Sequence, residues 1–212
     1  MGQLNADLFI TLDGYAYGEG APEYFGYPGP ELERWVDEHL AMPQVLLMGR
    51  VTYEALSAIA KNLPVEGPDR MSELPKVVFS RTLREPLAWD NSRLAKADLV
   101  EEVRRLKAES DAPLRTIGNL SVVKGLLEAM MVDRLRLTVF PLILGSTGRE
   151  PVFAGLPDIH LELVDTEVLD ARLVTLEYRP ATAQHPVGDG SQPGPVLLES
   201  LCQPLALVHL YL

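Results

Sequence analysis

Cysteine is nearly absent from this chain: Cys202 is the only one among 212 residues. A single thiol cannot form a disulfide within the chain, so we expect a reducing, cytoplasmic environment rather than a disulfide-stabilised extracellular fold. No run of 18 apolar residues occurs, which argues against a membrane-spanning helix. The N-terminus has no basic stretch followed by a long apolar run, so we expect no secretory signal.

Positive charge is also scarce. The 19 lysines and arginines are outnumbered by 30 aspartates and glutamates, which gives a formal net charge of −11. An acidic protein is repelled by nucleic acids and by anionic membranes, so we expect neither as a partner. The histidines at positions 39, 160, 185 and 209 show no ligand spacing, so we expect no metal. The partner that remains is a small molecule, and an anionic one would need a local basic pocket.

Apolar residues make up 47% of the chain, enough for one sizeable core. Short apolar strands alternate with helical segments, and residues 161–168 and 173–178 alternate with period two, as in a closing hairpin. This order predicts an α/β fold: a three-layer sandwich with a mostly parallel central sheet that ends in an antiparallel hairpin. We assign the domain to residues 1–180. We expect residues 181–212 to form a linker followed by an apolar tail. Three interpretations of the tail are open: it docks on a partner subunit, it covers a sheet edge, or it is a non-native extension.

One apolar strand, residues 45–48, runs directly into the turn Gly49-Arg50-Val51-Thr52. A helix that starts at the carboxyl end of a strand presents unpaired N–H groups and a positive dipole, which favour an anion. Arg50 adds a permanent cation, and Thr52 adds a hydroxyl. Without further information, an ordinary strand-to-helix turn with an exposed arginine is the commoner interpretation.

Two later turns follow strands in the same way. Ser80-Arg81 comes after the strand at residues 76–79, and an arginine fork matches phosphate geometry. Gly118-Asn119-Leu120-Ser121 comes after the strand at residues 114–117, where glycine lets a backbone approach a ligand closely. Asparagine tolerates a positive φ better than most residues, so Asn119 is compatible with a tight turn.

The segment Met48-Gly49-Arg50-x-Thr52-Tyr53-Glu54 resembles the cofactor-binding turn of the dihydrofolate reductase-like superfamily. The most similar branch is the C-terminal reductase domain of the bifunctional riboflavin deaminase–reductase and its stand-alone relatives. The resemblance extends from about Leu8 to Arg179. It includes the Ser80 and Gly118 turns and Val132-Asp133-Arg134-Leu135-Arg136-Leu137, in the family's order.

This resemblance implies a reductase that transfers a hydride from NADPH to a pterin- or pyrimidine-like heterocycle, as in riboflavin or folate metabolism. The residues it assigns to the cofactor are Gly49, Arg50, Thr52, Ser80, Arg81, Gly118, Asn119, Leu120 and Ser121. Asp13 and Glu31 are the residues it places beside the substrate, as catalytic or binding groups. Both have simpler explanations, because Asp13 can just form a turn and Glu31 can favour the dipole of its helix. Asn119 stands where the family has a second glycine.

Three further expectations complete the prediction. The loop of residues 15–29, rich in glycine and tyrosine, either forms a lid that stacks on a flat ligand or packs on its own scaffold. In the amphipathic helix of residues 97–109, a solvated face is expected to carry Glu101, Glu102, Arg104, Arg105 and Lys107. We expect a homodimer, and the alternative function is a nucleotide-binding or interaction protein without turnover.

Overall fold

An eight-stranded sheet forms the centre of the fold. The computed structural model describes residues 2–62 and 70–181. The strands are β1 (Leu4–Thr11), β2 (Tyr15–Gly18), β3 (Val45–Gly49), β4 (Lys76–Phe79), β5 (Ser92–Leu94), β6 (Leu114–Thr116), β7 (Arg134–Phe140), β8 (Gly148–Pro151), β9 (His160–Leu169) and β10 (Leu173–Ala181). The helices are α1 (Pro30–Ala41), α2 (Arg50–Asn62), α3 (Arg70–Glu73), α4 (Leu99–Glu109) and α5 (Leu120–Glu128). Short 3₁₀ turns cover Glu23–Gly26 and Gly145–Thr147.

The strands lie in the order β5-β4-β3-β6-β1-β7-β10-β9. The first six are parallel to one another, and β10 pairs antiparallel with both β7 and β9. The prediction of a mostly parallel sheet that ends in an antiparallel hairpin is therefore confirmed. Parallel neighbours require crossover connections, and the predicted helices supply most of them.

The helices cover both faces of the sheet, as successive residues of β3 show. Leu46 and Met48 pack in a cluster with Tyr53 of α2, whereas Leu47 packs on the opposite face with residues of α4 and α5. All three β3 residues are fully buried. A four-residue apolar run buried on both faces is typical of a central parallel strand. The predicted domain boundary at residue 180 stays a prediction, because residues 182–212 lie outside the described part.

The segment of residues 15–29 is not entirely a loop, and this part of the prediction is wrong. Tyr15–Gly18 forms β2, which pairs antiparallel with β8 in a separate two-stranded sheet. A Cβ atom on Gly148 would lie 2.6 Å from the ring of Tyr15, so the pairing depends on a glycine there. Strands that pair over such a long sequence separation carry little local signal, which explains why neither was predicted.

The predicted solvated face of α4 is wrong for two of its five residues. The Glu102 side chain is fully buried and lies 2.8 Å from both Arg93 Nη1 and Arg105 Nη2. Burial works against its charged form, but hydrogen bonds from Arg105 and Arg93 outweigh it and lower the pKa of Glu102. Lys107 is also buried, and its Nζ lies 2.5 Å from Asp133 Oδ2.

Candidate cofactor and substrate site

Three turns predicted to bind a cofactor converge at one edge of the sheet. They follow β4, β3 and β6, which are adjacent and parallel, so their carboxyl ends lie side by side. A Cβ atom on Gly49 would lie 2.5 Å from Asn119 Oδ1, and one on Gly118 would lie 3.4 Å from the side chain of Thr52. The Gly49 and Gly118 turns are thus in direct contact, and Gly49 leaves the space that Asn119 occupies.

Asn119 adopts the left-handed conformation, with φ 71° and ψ 64°, and it precedes the first residue of α5. Its Oδ1 accepts a hydrogen bond of 3.4 Å from Ser121 Oγ, but its Nδ2 is buried and has no hydrogen-bond partner among the described residues. A buried donor without a partner is costly unless a ligand or water completes it. Its position at the N-terminus of α5 and beside that of α2 fits an anionic group such as a cofactor phosphate.

The two arginines predicted to bind the cofactor have different surroundings. Arg50 Nη1 lies 2.7 Å from Glu54 Oε2, one turn later on α2. Arg81 is exposed, and within the described ranges no carboxylate forms an ion pair with it. Ser80 Oγ accepts hydrogen bonds from the backbone N–H groups of Thr82 and Leu83 at 3.2 and 3.0 Å, so it shapes this turn. Arg81 is therefore the cation with fewer competing contacts.

A cavity of about 360 Å³ lies next to these turns. Its lining includes residues of β1 and β6, residues of α1, α2 and α3, and the turn residues Gly118, Asn119 and Leu120. Much of its wall is apolar or aromatic, formed by residues that include Phe9, Tyr24, Trp35, Val36, Leu56 and Ile117. A space of this size and lining suits a small flat ligand.

The cavity wall also contains three charged residues that sequence reasoning missed, Asp7 on β1, Arg115 on β6 and Glu150 on β8. Asp7 Oδ2 contacts Arg115 Nε, and Asp7 Oδ1 lies 3.5 Å from Arg136 Nη1. The Trp35 ring covers both arginines, with Cζ-to-centroid distances of 5.7 and 5.4 Å. A charged residue inside an apolar strand was the available signal, because burying an ion is costly unless it is paired or functional.

Asp13 is not among the residues that line this cavity. Its carboxylate accepts hydrogen bonds from the backbone N–H groups of Gly145, at 2.9 Å, and Leu144, at 3.1 Å, and from Thr11 Oγ1 at 2.7 Å. The hydrogen bond from Gly145, followed by that from Thr11, lowers the pKa of Asp13. These contacts hold the loop after β7 against the loop after β1. A direct contact between Asp13 and a substrate stays a prediction.

Glu31 also points to a structural partner rather than into the cavity. Its carboxylate accepts a hydrogen bond from the backbone N–H of Asp170, in the β9–β10 turn. Asp170 in return accepts from the backbone N–H groups of Glu31 and Leu32 at 3.0 and 3.1 Å. This reciprocal arrangement caps the N-terminus of α1 from a distant turn. The predicted role of Glu31 in substrate binding stays a prediction.

The aromatic residues of the segment 15–29 pack mainly on their own scaffold. Tyr24 and Phe25 lie in a short turn at positive φ, and their rings are 5.8 Å from Phe9 and 5.2 Å from Phe140. Tyr24 also lines the cavity, so one ring of this segment is placed to touch a ligand.

In the part of the chain that the structure describes, no cluster of three or more metal-ligating side chains occurs and no helix is long and apolar enough to cross a membrane.

The sheet order, the closing hairpin and the helices on both faces define a dihydrofolate reductase-like α/β protein. The model of the family described as the RibD C-terminal domain matches residues 3–175. The chain belongs to this family. The Bacillus subtilis protein YyaP, described as uncharacterized, is 29% identical over 182 residues, which cover 81% of this chain and 92% of that protein.

Solved structures show the same fold. A Shewanella protein provisionally assigned to riboflavin biosynthesis is 22% identical, with a TM-score of 0.67 over 85% of this chain and 99% of that one. The Enterococcus faecalis dihydrofolate reductase complexed with NADP(H) is 18% identical, with a TM-score of 0.59 over 85% and 98%. The Thermotoga maritima deaminase and 5-amino-6-(5-phosphoribosylamino)uracil reductase is 16% identical, with a TM-score of 0.57, and this chain covers 57% of it.

Proposed function

We propose that this protein is an NADPH-dependent reductase that transfers a hydride to a flat pterin- or pyrimidine-like heterocycle. The observation that carries the proposal is the contact between the anion-favouring Gly49 and Gly118 turns, of which the Gly118 turn lines an aromatic-walled cavity. The Enterococcus faecalis structure contains NADP(H), and the Thermotoga maritima protein is a uracil-type reductase. Membership of the RibD C-terminal domain family supports a role in riboflavin-type metabolism.

The protein's own contribution would be binding, orientation and the exclusion of water. NADPH supplies the hydride, and the acceptor carbon must lie about 3–3.5 Å from the nicotinamide. On this proposal the Gly49 and Gly118 turns hold the pyrophosphate, with Asn119 Nδ2 as a donor. Ser80 and Arg81 meet the phosphate on the adenosine ribose. Trp35 and Tyr24 then enclose the flat substrate.

The proposal is tested by titrating the protein with NADPH and then following NADPH oxidation against a panel of pterins and ribosylaminopyrimidines. We expect saturable binding and turnover with at least one panel member. The same panel incubated with NADPH alone gives the uncatalysed rate. A protein that does not bind NADPH would contradict the proposal.

A second candidate is a nucleotide-binding protein without turnover. The observation that favours it is that the carboxylates of Asp13 and Glu31 already accept hydrogen bonds from backbone N–H groups. These contacts give both carboxylates a structural role that needs no substrate. Tight NADPH binding without oxidation across the whole panel would support this second candidate.

We also propose that the protein is a cytoplasmic homodimer. Residues of β9 and β10 present an apolar surface on one face of the hairpin, where Leu163 is 59% exposed and Val168 is 61% exposed. Leu161 and Val174 extend this surface and are also exposed. Contiguous apolar surface of this kind is typical of an interface. Sedimentation should show a dimer that Leu163→Glu converts to a monomer.

The proposed cytoplasmic location rests on the single cysteine, because a chain that cannot form an internal disulfide fits a reducing compartment.

A further inference from the structure

Arg115 is buried but only partly paired. Its side chain is 8% exposed, and its Nε contacts Asp7 Oδ2. Its two Nη groups form no hydrogen bond with any residue in the described ranges, and the side chain lines the cavity. An arginine carries five N–H donors, so the four donors on the Nη atoms have no hydrogen-bond partner among the residues that the structure describes.

The charges around Arg115 do not balance. Arg134 Nε and Arg136 Nη2 lie 3.1 and 2.7 Å from the two carboxylate oxygens of Glu177. Asp7 is shared between Arg115 and Arg136, so the cluster has three guanidinium groups and two carboxylates. Among these ion-paired groups the guanidinium groups therefore outnumber the carboxylates by one, and the only other charged residue in the described lining of the cavity is Glu150.

The environment of Arg115 does not remove this imbalance. Burial lowers the pKa of Arg115 and Asp7 only partly offsets that effect, while the side chain stays charged at neutral pH because an arginine does not titrate there. The Trp35 ring lies over the guanidinium, which contributes a weak cation–π interaction but accepts no full hydrogen bond. An ion that the protein pairs only in part is destabilising unless water or a ligand completes its hydrogen bonds.

We propose that Arg115 determines substrate specificity by donating hydrogen bonds from its Nη groups to acceptor atoms on the inner edge of a flat heterocycle. The acceptors that fit are ring carbonyl oxygens or deprotonated ring nitrogens. An edge of amino groups would point donors at a cation, and a positively charged ring would be repelled. Asp7 is a positioning residue, because it fixes Arg115 through Nε. This inference rests on the proposed function in one respect, namely that the cavity is the substrate site.

Two pyrimidines of nearly equal size test the inference. In 5,6-diaminouracil the ring carries two carbonyl groups, whereas in tetraaminopyrimidine amino groups replace them. Calorimetry without cofactor should show that the protein binds diaminouracil at least tenfold more tightly, the lower end expected for a hydrogen bond to a charged group. Arg115→Met should reduce this preference to about twofold or less. If that variant does not fold, Arg115→Gln takes its place in the same comparison.

Arg134→Met is the matched control. Arg134 belongs to the same charge cluster, but it pairs with Glu177 and is not among the residues that line the cavity. The control should therefore keep the tenfold preference. Thermal melting and NADPH affinity, measured separately, show that each variant is folded. Equal affinity of the unaltered protein for both pyrimidines, failure to bind either, or a preference that survives the Arg115 substitution would overturn the inference.

The outcomes separate this inference from the proposed reductase activity. If the Arg115-dependent preference is found but NADPH is never oxidised, the specificity assignment stands and the reductase proposal fails. If NADPH is oxidised with a pterin but the pyrimidine preference is absent or independent of Arg115, the reductase proposal stands and the specificity assignment fails.

Discussion

Arg81 is the residue on which cofactor choice should depend. NADPH differs from NADH by one phosphate, and the acidic protein offers no long-range attraction for it. A hydrogen bond to a charged group is worth about 1.5–3 kcal/mol, or about 10- to 100-fold in affinity. We therefore expect calorimetry to show at least tenfold tighter binding of NADPH than of NADH, and Arg81→Ala should erase most of this difference while hardly changing NADH affinity.

The control for Arg81 is Arg104→Ala, which removes another exposed arginine from α4. It should keep the preference for NADPH. Arg50→Ala should weaken both cofactors if Arg50 meets the pyrophosphate, and added salt should narrow the gap between NADPH and NADH. Equal affinity of the unaltered protein for both cofactors would show that the assignment of Ser80 and Arg81 is wrong.

Asn119 has a left-handed backbone and a buried side-chain donor, and substitution separates the effects of the two on cofactor binding. Asn119→Gly should leave the fold intact, because glycine adopts a positive φ without strain. The same change removes the buried Nδ2 donor, so we expect about tenfold weaker NADPH binding by calorimetry. Asn119→Asp, which places a negative oxygen there, should weaken binding further. Unchanged affinity in both variants would mean that the side chain does not meet the cofactor.

At the scale of elements, α4 shows how an amphipathic pattern can mislead. Glu102 is fully buried between Arg93 and Arg105, whereas Glu101, next to it, is exposed. Glu102→Gln should lower the free energy of unfolding by about 1.5–3 kcal/mol, the range for losing a hydrogen bond to a charged group. Glu101→Gln is the matched control and should have almost no effect. Urea unfolding of both variants checks this prediction.

The loss from Glu102→Gln should depend on pH in a defined direction. The pKa of Glu102 is lowered on folding, so its carboxylate stabilises the fold above the ordinary value of 4.5. That contribution disappears as the pH falls through the lowered pKa. The variant and the unaltered protein should therefore converge at low pH. A difference that stays constant down to the acid transition would contradict an ionic role for Glu102.

At the scale of the whole molecule, the described sheet is complete at β10, which pairs with β7 and β9. Deleting residues 184–212 should therefore leave a folded domain that binds NADPH. Circular dichroism, thermal melting and cofactor titration test this prediction, with the full chain as the reference. An insoluble product, or a truncated protein with a different oligomeric state, would show that the tail contributes to the fold or to an interface.

The parts of this molecule that sequence predicted correctly are those governed by local patterns. A short apolar run such as residues 45–48 indicates a buried parallel strand without any knowledge of its tertiary contacts. Period-two alternation in the same way indicates the β9–β10 hairpin. The turns after β3, β4 and β6 were predicted to bind a cofactor from residue type and resemblance, and that role stays a prediction. Their convergence follows from the rule that carboxyl ends of parallel strands share one edge.

Tertiary structure alone decided which charged and polar residues lie inside. The β2–β8 pairing and the cap on α1 from Asp170 each join segments far apart in sequence, so no local pattern reports them. Glu102 pairs with the nearby Arg93 and Arg105, but its burial depends on the packing of the folded chain. Asp7 and Arg115 belong to neighbouring strands separated by about half of the chain, and only the sheet order makes them a pair beneath Trp35. Whether a charge is solvated or buried depends on what packs against it, and that is a property of the folded molecule.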